Sequence, residues 1–192
     1  MLTTRHVLET ARLTIRLADV DDVRAVIDYD RRNREHLRAW EPVRDAATAY
    51  DVEVRSASLG GRRADADDGR GFLFLARMQG DDAVAASVNL SNIVRGAFQA
   101  CHLGYSVDAA REGQGIASEA VGAVVGFAFE GLRLHRVMAN YQPTNERSGK
   151  LLRRLGFVTE GYARDYLFIN GAWRDHVLTA LMSPQLLEMR PA

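Results

Sequence analysis

Short runs rich in apolar residues recur along this chain, and some of them alternate strictly with polar residues. In residues 8–17, Leu13, Ile15 and Leu17 occupy every second position. A period of two is typical of β-strands with one buried face. The pattern predicts strands over 8–17, 72–78, 83–90, 98–107, 136–141, 157–169 and 173–181, with the long sixth stretch interrupted at Gly161.

Turn-forming residues separate several of these strands. Gly80-Asp81-Asp82 and Arg95-Gly96 fall between consecutive strands, and Asn170-Gly171 is the strongest hairpin signal in the chain. The three strands from 72 to 107 are therefore predicted to form an antiparallel meander, and the last two a hairpin.

Other segments show the three-to-four residue spacing of amphipathic helices. Helices are predicted over 19–31, 33–40, 46–63, 115–131 and 145–155. Asp19 and Asn145 are suitable N-caps, and Pro42 ends the second helix. The charged stretch 62–70 is interpreted as a surface loop and 184–192 as a tail.

This order of elements predicts the fold class. A meander, a helix, a strand, a helix and a hairpin give an α/β protein of the mixed α+β type, in which a mostly antiparallel, twisted sheet carries helices on both faces. The strands before and after helix 115–131 would be parallel neighbours at the centre of the sheet. If they splay apart at their C-terminal ends, they leave a slot where an extended ligand could pair with the free strand edge.

A glycine-containing loop joins that strand to that helix and is the first candidate for chemistry. Gly113 and Gly115 allow a close backbone approach, and the first turn of the helix offers unpaired N–H groups and a positive dipole end. We expect a phosphate or pyrophosphate over residues 113–118, although the two glycines could simply form a tight turn. The third glycine of a dinucleotide fingerprint and the Gly-Lys-Ser/Thr of a P-loop are both missing.

Length, charge and cysteine content limit the number of domains and the ligands that this protein is expected to bind. The 192 residues predict a single domain over 1–192, and a formal net charge of zero gives no reason to expect direct nucleic-acid binding. One cysteine, Cys101, excludes an internal disulfide framework and argues against a cysteine metal site, so no metal is expected. No signal peptide or membrane-spanning stretch is apparent, and a cytoplasmic location is expected.

The run Glu112-Gly113-Gln114-Gly115-Ile116-Ala117 resembles the cofactor motif Gln/Arg-x-x-Gly-x-Gly/Ala of the GNAT acetyltransferase superfamily. It departs at Glu112, which stands where that motif has Gln or Arg. Further motifs resemble the RimJ/RimL-type ribosomal-protein N-terminal acetyltransferases, most strongly over residues 87–182. These motifs are Asn140-Tyr141, Asn145-x-x-Ser148, Leu151-Leu152-x-x-Leu155-Gly156-Phe157, Glu160-Gly161-Tyr162 and Gly171-x-Trp173-Arg174-Asp175-His176, and segments 40–45 and 91–96 resemble the RimJ branch in particular.

The resemblance implies a GNAT fold, acetyl-CoA as cofactor and, as acceptor, the N-terminal alanine of a small-subunit ribosomal protein. A monomer or a homodimer is expected, and the sequence does not decide between the two. The residues it places at the cofactor are Tyr105, Ser106, Val107, Glu112, Gly113, Gln114, Gly115, Ile116, Ala117, Ser118, Asn140, Asn145, Ser148 and Leu151.

Acetyl transfer from a thioester to an amine requires a donor for the carbonyl oxygen and a proton for the leaving thiolate. The backbone N–H of Tyr105 or Val107 is the candidate donor. Many superfamily members protonate the thiolate with a tyrosine at the position of Leu152, so Ser148 is the candidate substitute here. Ser148 could equally be a helix-capping serine, and Asn145 a cap, a partner for the cofactor's pantetheine amide, or both.

Several residues are candidates for binding or deprotonating the amine that accepts the acetyl group. An α-amino group has a pKa near 7.7–8.0, so a strong base is not required. The candidate bases are Glu41, Glu160, Asp175 and His176, and each could instead serve in a salt bridge or a structural hydrogen bond. Acceptor binding is expected at Trp40, Glu41, Tyr162 and Asp175, while Lys150, Arg153 and Arg154 could contact the cofactor's ribose phosphate or complement the helix dipole.

Two rival functions remain open at this point. The chain could acetylate a small amine such as a polyamine, an aminoglycoside or an amino acid. It could also be a ribosome-assembly module that binds acetyl-CoA with little turnover.

Overall fold

The computed structural model describes residues 6–42, 45 and 47–184. They form one eight-stranded sheet in the order β1-β2-β3-β4-β5-β6-β8-β7. The strands are β1 (Val7–Glu9), β2 (Leu13–Leu17), β3 (Phe72–Met78), β4 (Val84–Val94), β5 (Ala100–Val107), β6 (Arg136–Met138), β7 (Val158–Ile169) and β8 (Ala172–Met182), and the helices are α1 (Val23–Leu37), α2 (Val52–Asp67), α3 (Ile116–Gly126) and α4 (Glu146–Arg154).

The N-terminal segment differs from its prediction. Residues 8–17 form not one strand but the hairpin β1–β2, closed by a turn in which the Thr10 N–H donates to the carbonyl of Leu13. Alternation identified the buried side chains of β2 correctly, but the short polar turn before Leu13 was missed.

The two predicted helices over 19–31 and 33–40 are also wrong, because α1 is continuous to Leu37. A 3₁₀ turn capped by Asp19 precedes it. Asn33, which interrupts the apolar pattern, is fully buried inside α1 and donates from Nδ2 to the carbonyl of Tyr29. A polar residue with internal partners does not end a helix.

The third helix begins and ends later than predicted. It starts after Asp51, whose side chain accepts from the Val54 N–H, and runs to Asp67. Much of the charged stretch interpreted as a loop is therefore helical, with Arg63 paired to Asp67 on its own helix and to Asp19. The predicted tail over 184–192 lies almost entirely outside the described residues.

The predicted central parallel pair is confirmed, and it is short. β5 and β6 pair over Ala100, Cys101 and His102, whereas β5 pairs with β4 as far as Val107. Residues 103–107 therefore keep one strand edge without a strand partner in the described chain. This is the splay that leaves a slot beside β5.

Helices cover both faces of the sheet, as predicted. One core cluster packs α3 and α4, which contributes Leu152, against Val88 and Leu103 of the sheet. A second, smaller cluster packs α1 and α2 on the opposite face, around Tyr29 and Leu75. The slot beside β5 thus opens toward α3 and α4 on one side and toward α1 on the other.

The C-terminal hairpin has the predicted turn. Asn170 and Gly171 both have positive φ values, 50° and 75°, as a type I′ turn requires. β7 is a single strand with register shifts near Gly161 and after Ala163. Among the described residues, no helix is long and apolar enough to cross a membrane.

Candidate active site

The glycine loop forms a backbone cradle at the N-terminus of α3. Gly113 and Gly115 have φ values of 72° and 79°, and Gly115 is the N-cap of the helix. A side chain in this left-handed region would be strained. A Cβ on Gly113 would meet no atom within 4 Å, so the cradle is open as well as strained. These residues fit a phosphate group, which the helix N-terminus would stabilise.

One face of α1 fastens the strand and turn that lead into this loop. The contacts join Tyr29 to Ser106, Arg32 to Asp108, Asn33 to Ala109 and His36 to Glu112. Positions i, i+3, i+4 and i+7 of a helix share one face. Burial raises the pKa of Asp108, but the hydrogen bonds from Arg32 and from the Ala110 N–H outweigh it, so this pKa is lowered. Asp108 is therefore a charged anchor for the turn.

Glu112, the departure from the family motif, links three elements. Its carboxylate forms an ion pair with Arg147 of α4, and it lies 3.4 Å from Nε2 of His36 on α1. Glu112 therefore places a negative charge at the entrance of the cradle and holds a cation beside it.

The N-terminal hairpin supports the loop from the other side. Arg12 donates to the backbone oxygen of Gln114 at 2.9 Å and to the carboxylate of Glu119 at 2.7 Å. Glu119 also accepts from the Thr10 hydroxyl at 2.6 Å, and its pKa is lowered because these hydrogen bonds outweigh the effect of burial. The first turn of α3 is thus held by two charged residues, Arg12 and Glu119, that lie far apart in the chain.

Tyr105 and Ser148 meet beside the free edge of β5. Their hydroxyl oxygens are 2.6 Å apart, and the Ser148 N–H donates to Oδ1 of Asn145 at 3.1 Å. Asn145 is therefore the N-cap of α4, which leaves the Ser148 hydroxyl to Tyr105. Burial raises the pKa of Tyr105 to about 12, although the hydrogen bond to Ser148 opposes this shift. Both hydroxyls are protonated at neutral pH, and the pair can supply a proton.

Close packing sets the position of α4. A Cβ on Gly149 would lie 2.8 Å from the ring of Tyr141, so only glycine allows this approach. Leu151 and Leu152 are buried in the core under the helix. The hydroxyl-bearing face of α4 is thereby held over the slot.

Several other predicted residues have partners of their own. Glu160 lies on β7 in an ion pair with Arg136. His176 is buried and its Nδ1 contacts the backbone oxygen of Arg174. Asn140 contacts the Tyr166 hydroxyl and the Thr179 N–H.

The remaining acceptor-side residues fall in two places. Tyr162 donates to Asp175 at 2.6 Å on the exposed C-terminal hairpin. Trp40 is half-buried near the end of α1. Glu41 lines a cleft of about 300 Å³ between the end of α1 and the β7–β8 turn, together with Asp30, Arg34, Glu35, Leu37, Arg38, Pro42, Ala49, Tyr50 and Asn170.

Five further residues lie on α4, on β8 and in the core. Lys150 forms an ion pair with Glu146 on the exposed face of α4, where Arg153 and Arg154 also lie. Trp173 is 60% exposed and stacks edge-on against Phe168. Cys101 is fully buried in the core, and burial raises its thiol pKa to about 12.

Sequence reasoning missed Arg12, Arg32, Asn33 and Arg147. The polar stripe along α1 was a usable signal, because Tyr29, Arg32, Asn33 and His36 recur at helical spacing. The contacts of Arg12 and Arg147 join distant parts of the chain, and no local pattern announces them.

Comparison with known proteins places these features in context. The chain matches the acetyltransferase (GNAT) domain over residues 12–158. It is 45% identical to the ribosomal protein uS5-alanine N-acetyltransferase of Escherichia coli strain K12 over 177 residues, which are 92% of this chain and 91% of the relative.

Solved structures are also similar. The ribosomal-protein-S5-alanine acetyltransferase of Vibrio fischeri matches with a TM-score of 0.89 at 36% identity, over 97% of this chain and 100% of the other. RimJ of Mycobacterium smegmatis, solved in complex with a CoA disulfide, matches with a TM-score of 0.88 at 29% identity, over 95% of this chain and 90% of the other.

Proposed function

This chain belongs to the GNAT acetyltransferase family, and from that premise we propose that it transfers the acetyl group of acetyl-CoA to the α-amino group of an N-terminal alanine. The proposed acceptor is the small-subunit ribosomal protein that the E. coli relative's name specifies. A ribosomal acceptor would place the reaction in the cytoplasm.

The observation that carries the proposal is the hydrogen-bonded pair of Tyr105 and Ser148 beside the free edge of β5. The pair lies beside the slot, on the strand that leads into the cradle of 113–118, where the reacting end of an extended, phosphate-anchored thioester is needed. A protein that only bound a phosphate would have no use for two hydroxyl donors there.

Each part of the site has a role in this reaction. Acetyl-CoA supplies an activated acetyl thioester. Residues 103–107 offer backbone groups along which the pantetheine arm is held as an added strand, and one of their N–H groups stabilises the carbonyl oxygen as it gains charge. Ser148 protonates the leaving sulfur, and Tyr105 orients the Ser148 hydroxyl.

An α-amino acceptor fits a site of this kind. Its pKa is lower than that of lysine by about 2–3 units, so a fair fraction is neutral at pH 7. The proposal therefore assigns no strong base to Glu160 or Glu41. Trp40, Glu41, Tyr162 and Asp175 remain candidates for contacts with the acceptor's following residues.

The test compares peptides that differ only at the first residue, with intact-mass analysis after incubation with acetyl-CoA. Acetylation should be fastest for Ala, weaker for Ser and slow for a bulky first residue. A peptide with a blocked N-terminus and an internal lysine should stay unmodified.

Two results would contradict the proposal. Equal acetylation of the blocked peptide would show that lysine is the acceptor. Preference for a polyamine or an aminoglycoside over every peptide would assign the chain to small-amine acetylation, and binding of acetyl-CoA without turnover of any acceptor would show a binding module.

A further inference from the structure

The centre of the sheet carries a polar patch on the face toward α1. Cys101 and Leu103 of β5 pack with α3 and α4, so the intervening positions of β5 point to the opposite face. We call this patch the polar floor. It consists of three cross-strand pairs of β4 and β5, which are Ser87 with Ser106, Asn89 with Gly104 and Ser91 with His102.

Two atoms of the polar floor are buried without a hydrogen-bond partner among the described residues. They are Oδ1 of Asn89 and Nδ1 of His102. An unpartnered buried polar atom costs roughly 1–3 kcal/mol, and native proteins keep few of them. Burial also lowers the pKa of His102, so its ring is neutral at pH 7, and with the proton on Nε2 it presents Nδ1 as an acceptor. Both atoms are therefore acceptors that no donor among the described residues uses.

These two acceptors lie close to each other and beside the slot. Asn89 and His102 are diagonal neighbours on adjacent strands, a spacing that side chains of their length can bridge. Gly104 lies between them, is exposed, and leaves open space where a Cβ would stand. β5 separates from β6 directly after His102, so a group above Gly104 is next to the free strand edge.

We propose that Asn89 and His102 bind the α-amino group of the acceptor. Tyr105 and Ser148 lie on the other face of the same strand. The acceptor would thus approach from the α1 side and the thioester from the α4 side, and they would meet at the free edge of residues 103–107. This inference rests on the proposed function and names the residues that position its acceptor.

The chemistry of a neutral primary amine explains why two acceptors are useful. Such an amine has two N–H donors and one lone pair. If Asn89 and His102 accept the two N–H groups, the lone pair is left to attack the thioester carbonyl carbon.

Acetyl transfer then exchanges one bond for another at the carbonyl carbon. A C–N bond forms while the C–S bond breaks, the sulfur leaves with the electron pair, and it receives a proton from Ser148. The nitrogen becomes cationic on attack and loses one proton to solvent, and solvent returns a proton to Ser148.

The experiment uses Asn89→Leu and His102→Phe, with His102→Asn to keep an acceptor near the Nδ1 position. For an Ala-starting peptide, kcat/KM should fall about 10- to 100-fold in the first two variants, mainly through the KM of the peptide, and should partly recover in His102→Asn. Ser91→Ala is the matched control on the same face, and its kinetics should match wild type. The thermal shift produced by acetyl-CoA should be unchanged throughout.

Stability provides a second, independent readout. Because each apolar replacement removes an unpartnered buried polar atom, the Tm without ligands should stay level or rise. A purely structural role predicts the reverse, with a lower Tm and unchanged peptide KM. Peptide KM values within about twofold of wild type, or loss of the acetyl-CoA shift, would overturn the inference.

The two proposals fail in different ways. If wild type acetylates no peptide but does acetylate a small amine, the proposed acceptor is wrong, and the same variants should then lose activity on that amine. If wild type and all variants acetylate the peptide equally, the proposed function is supported. The proposed binding of the α-amino group by Asn89 and His102 is then wrong.

Discussion

Ser148 shows how far a single residue can be interpreted before its neighbours are known. Its position in Asn145-x-x-Ser148 fits a capping serine or a proton donor. The structure assigns the cap to the side chain of Asn145 and directs the Ser148 hydroxyl to Tyr105. The residue was predictable from sequence, but its partner, 43 positions earlier in the chain, was not.

Replacing Ser148 with alanine should therefore lower kcat rather than cofactor binding. We expect a loss of about 100-fold in kcat, the lower range for a general acid, with little change in the KM for acetyl-CoA. Ser148→Thr keeps a hydroxyl and should retain more activity than Ser148→Ala. A kcat for Ser148→Ala within about twofold of wild type would leave the residue without a role in proton transfer.

Replacing Glu112, unlike Ser148, should improve a property of the protein, which is its affinity for acetyl-CoA. Its carboxylate adds negative charge beside a cradle that fits phosphate and keeps Arg147 in an ion pair. Glu112→Gln removes the repulsion and frees the guanidinium, so the Kd for acetyl-CoA should fall about 3- to 10-fold, and the gain should shrink at high salt. Calorimetric titration with acetyl-CoA at two ionic strengths measures both the Kd and its dependence on salt.

Asp67→Asn controls for net charge, because it removes one exposed acid from an ion pair with Arg63 on α2. Its Kd should match wild type. Weaker binding by Glu112→Gln would mean that Glu112 supports the loop more than its charge opposes the ligand.

At the scale of elements, strands were predicted better than helix ends. β3 was predicted to the residue, because it is a mostly apolar run that begins directly after Gly71 and ends just before the turn at Gly80. The break proposed between two helices near residue 32 was wrong because Asn33 finds its partners inside the protein, in Tyr29 and Ala109. Local pattern marks a polar residue as an interruption and cannot show that its hydrogen bonds are satisfied by a distant loop.

Two helix glycines that are alike in sequence should behave differently on substitution. Gly122 in α3 has room for a Cβ, which would lie 3.8 Å from Leu155. Gly122→Ala should stabilise the protein by about 0.5–1 kcal/mol through helix propensity. Gly149→Ala in α4 would clash with Tyr141 and should destabilise it by about 1–3 kcal/mol.

Thermal unfolding measures both effects, at roughly 2–4 °C per kcal/mol for a chain of this size. In a Tyr141→Ala background the clash is gone, so Gly149→Ala should become neutral or stabilising. If Gly149→Ala raises the Tm of the otherwise unchanged protein, α4 is not held by this contact.

For the molecule as a whole, the order of elements was enough to predict the sheet and its parallel pair. The order of elements did not predict how far the two parallel strands splay apart, because this depends on β6 ending at Met138 while β5 continues to Val107. The acceptor face was missed for a related reason. Asn89 and His102 are 13 positions apart and become neighbours only through the β4–β5 register.

The last prediction concerns the coupling between cofactor binding and global stability. A ligand that binds only the native state at 100 times its Kd stabilises it by about 2.7 kcal/mol, so acetyl-CoA should raise the Tm by about 5–10 °C. Gly113→Asp puts a carboxylate into the phosphate cradle, where φ is 72°. Gly96→Asp adds the same charge and the same strain at a φ of 71°, in a turn between β4 and β5, and at both positions a Cβ meets no atom within 4 Å. Both variants should therefore lose similar stability without ligand, but only Gly113→Asp should also lose the acetyl-CoA shift. An equal shift in the two variants would show that the acetyl-CoA phosphates bind outside residues 113–118.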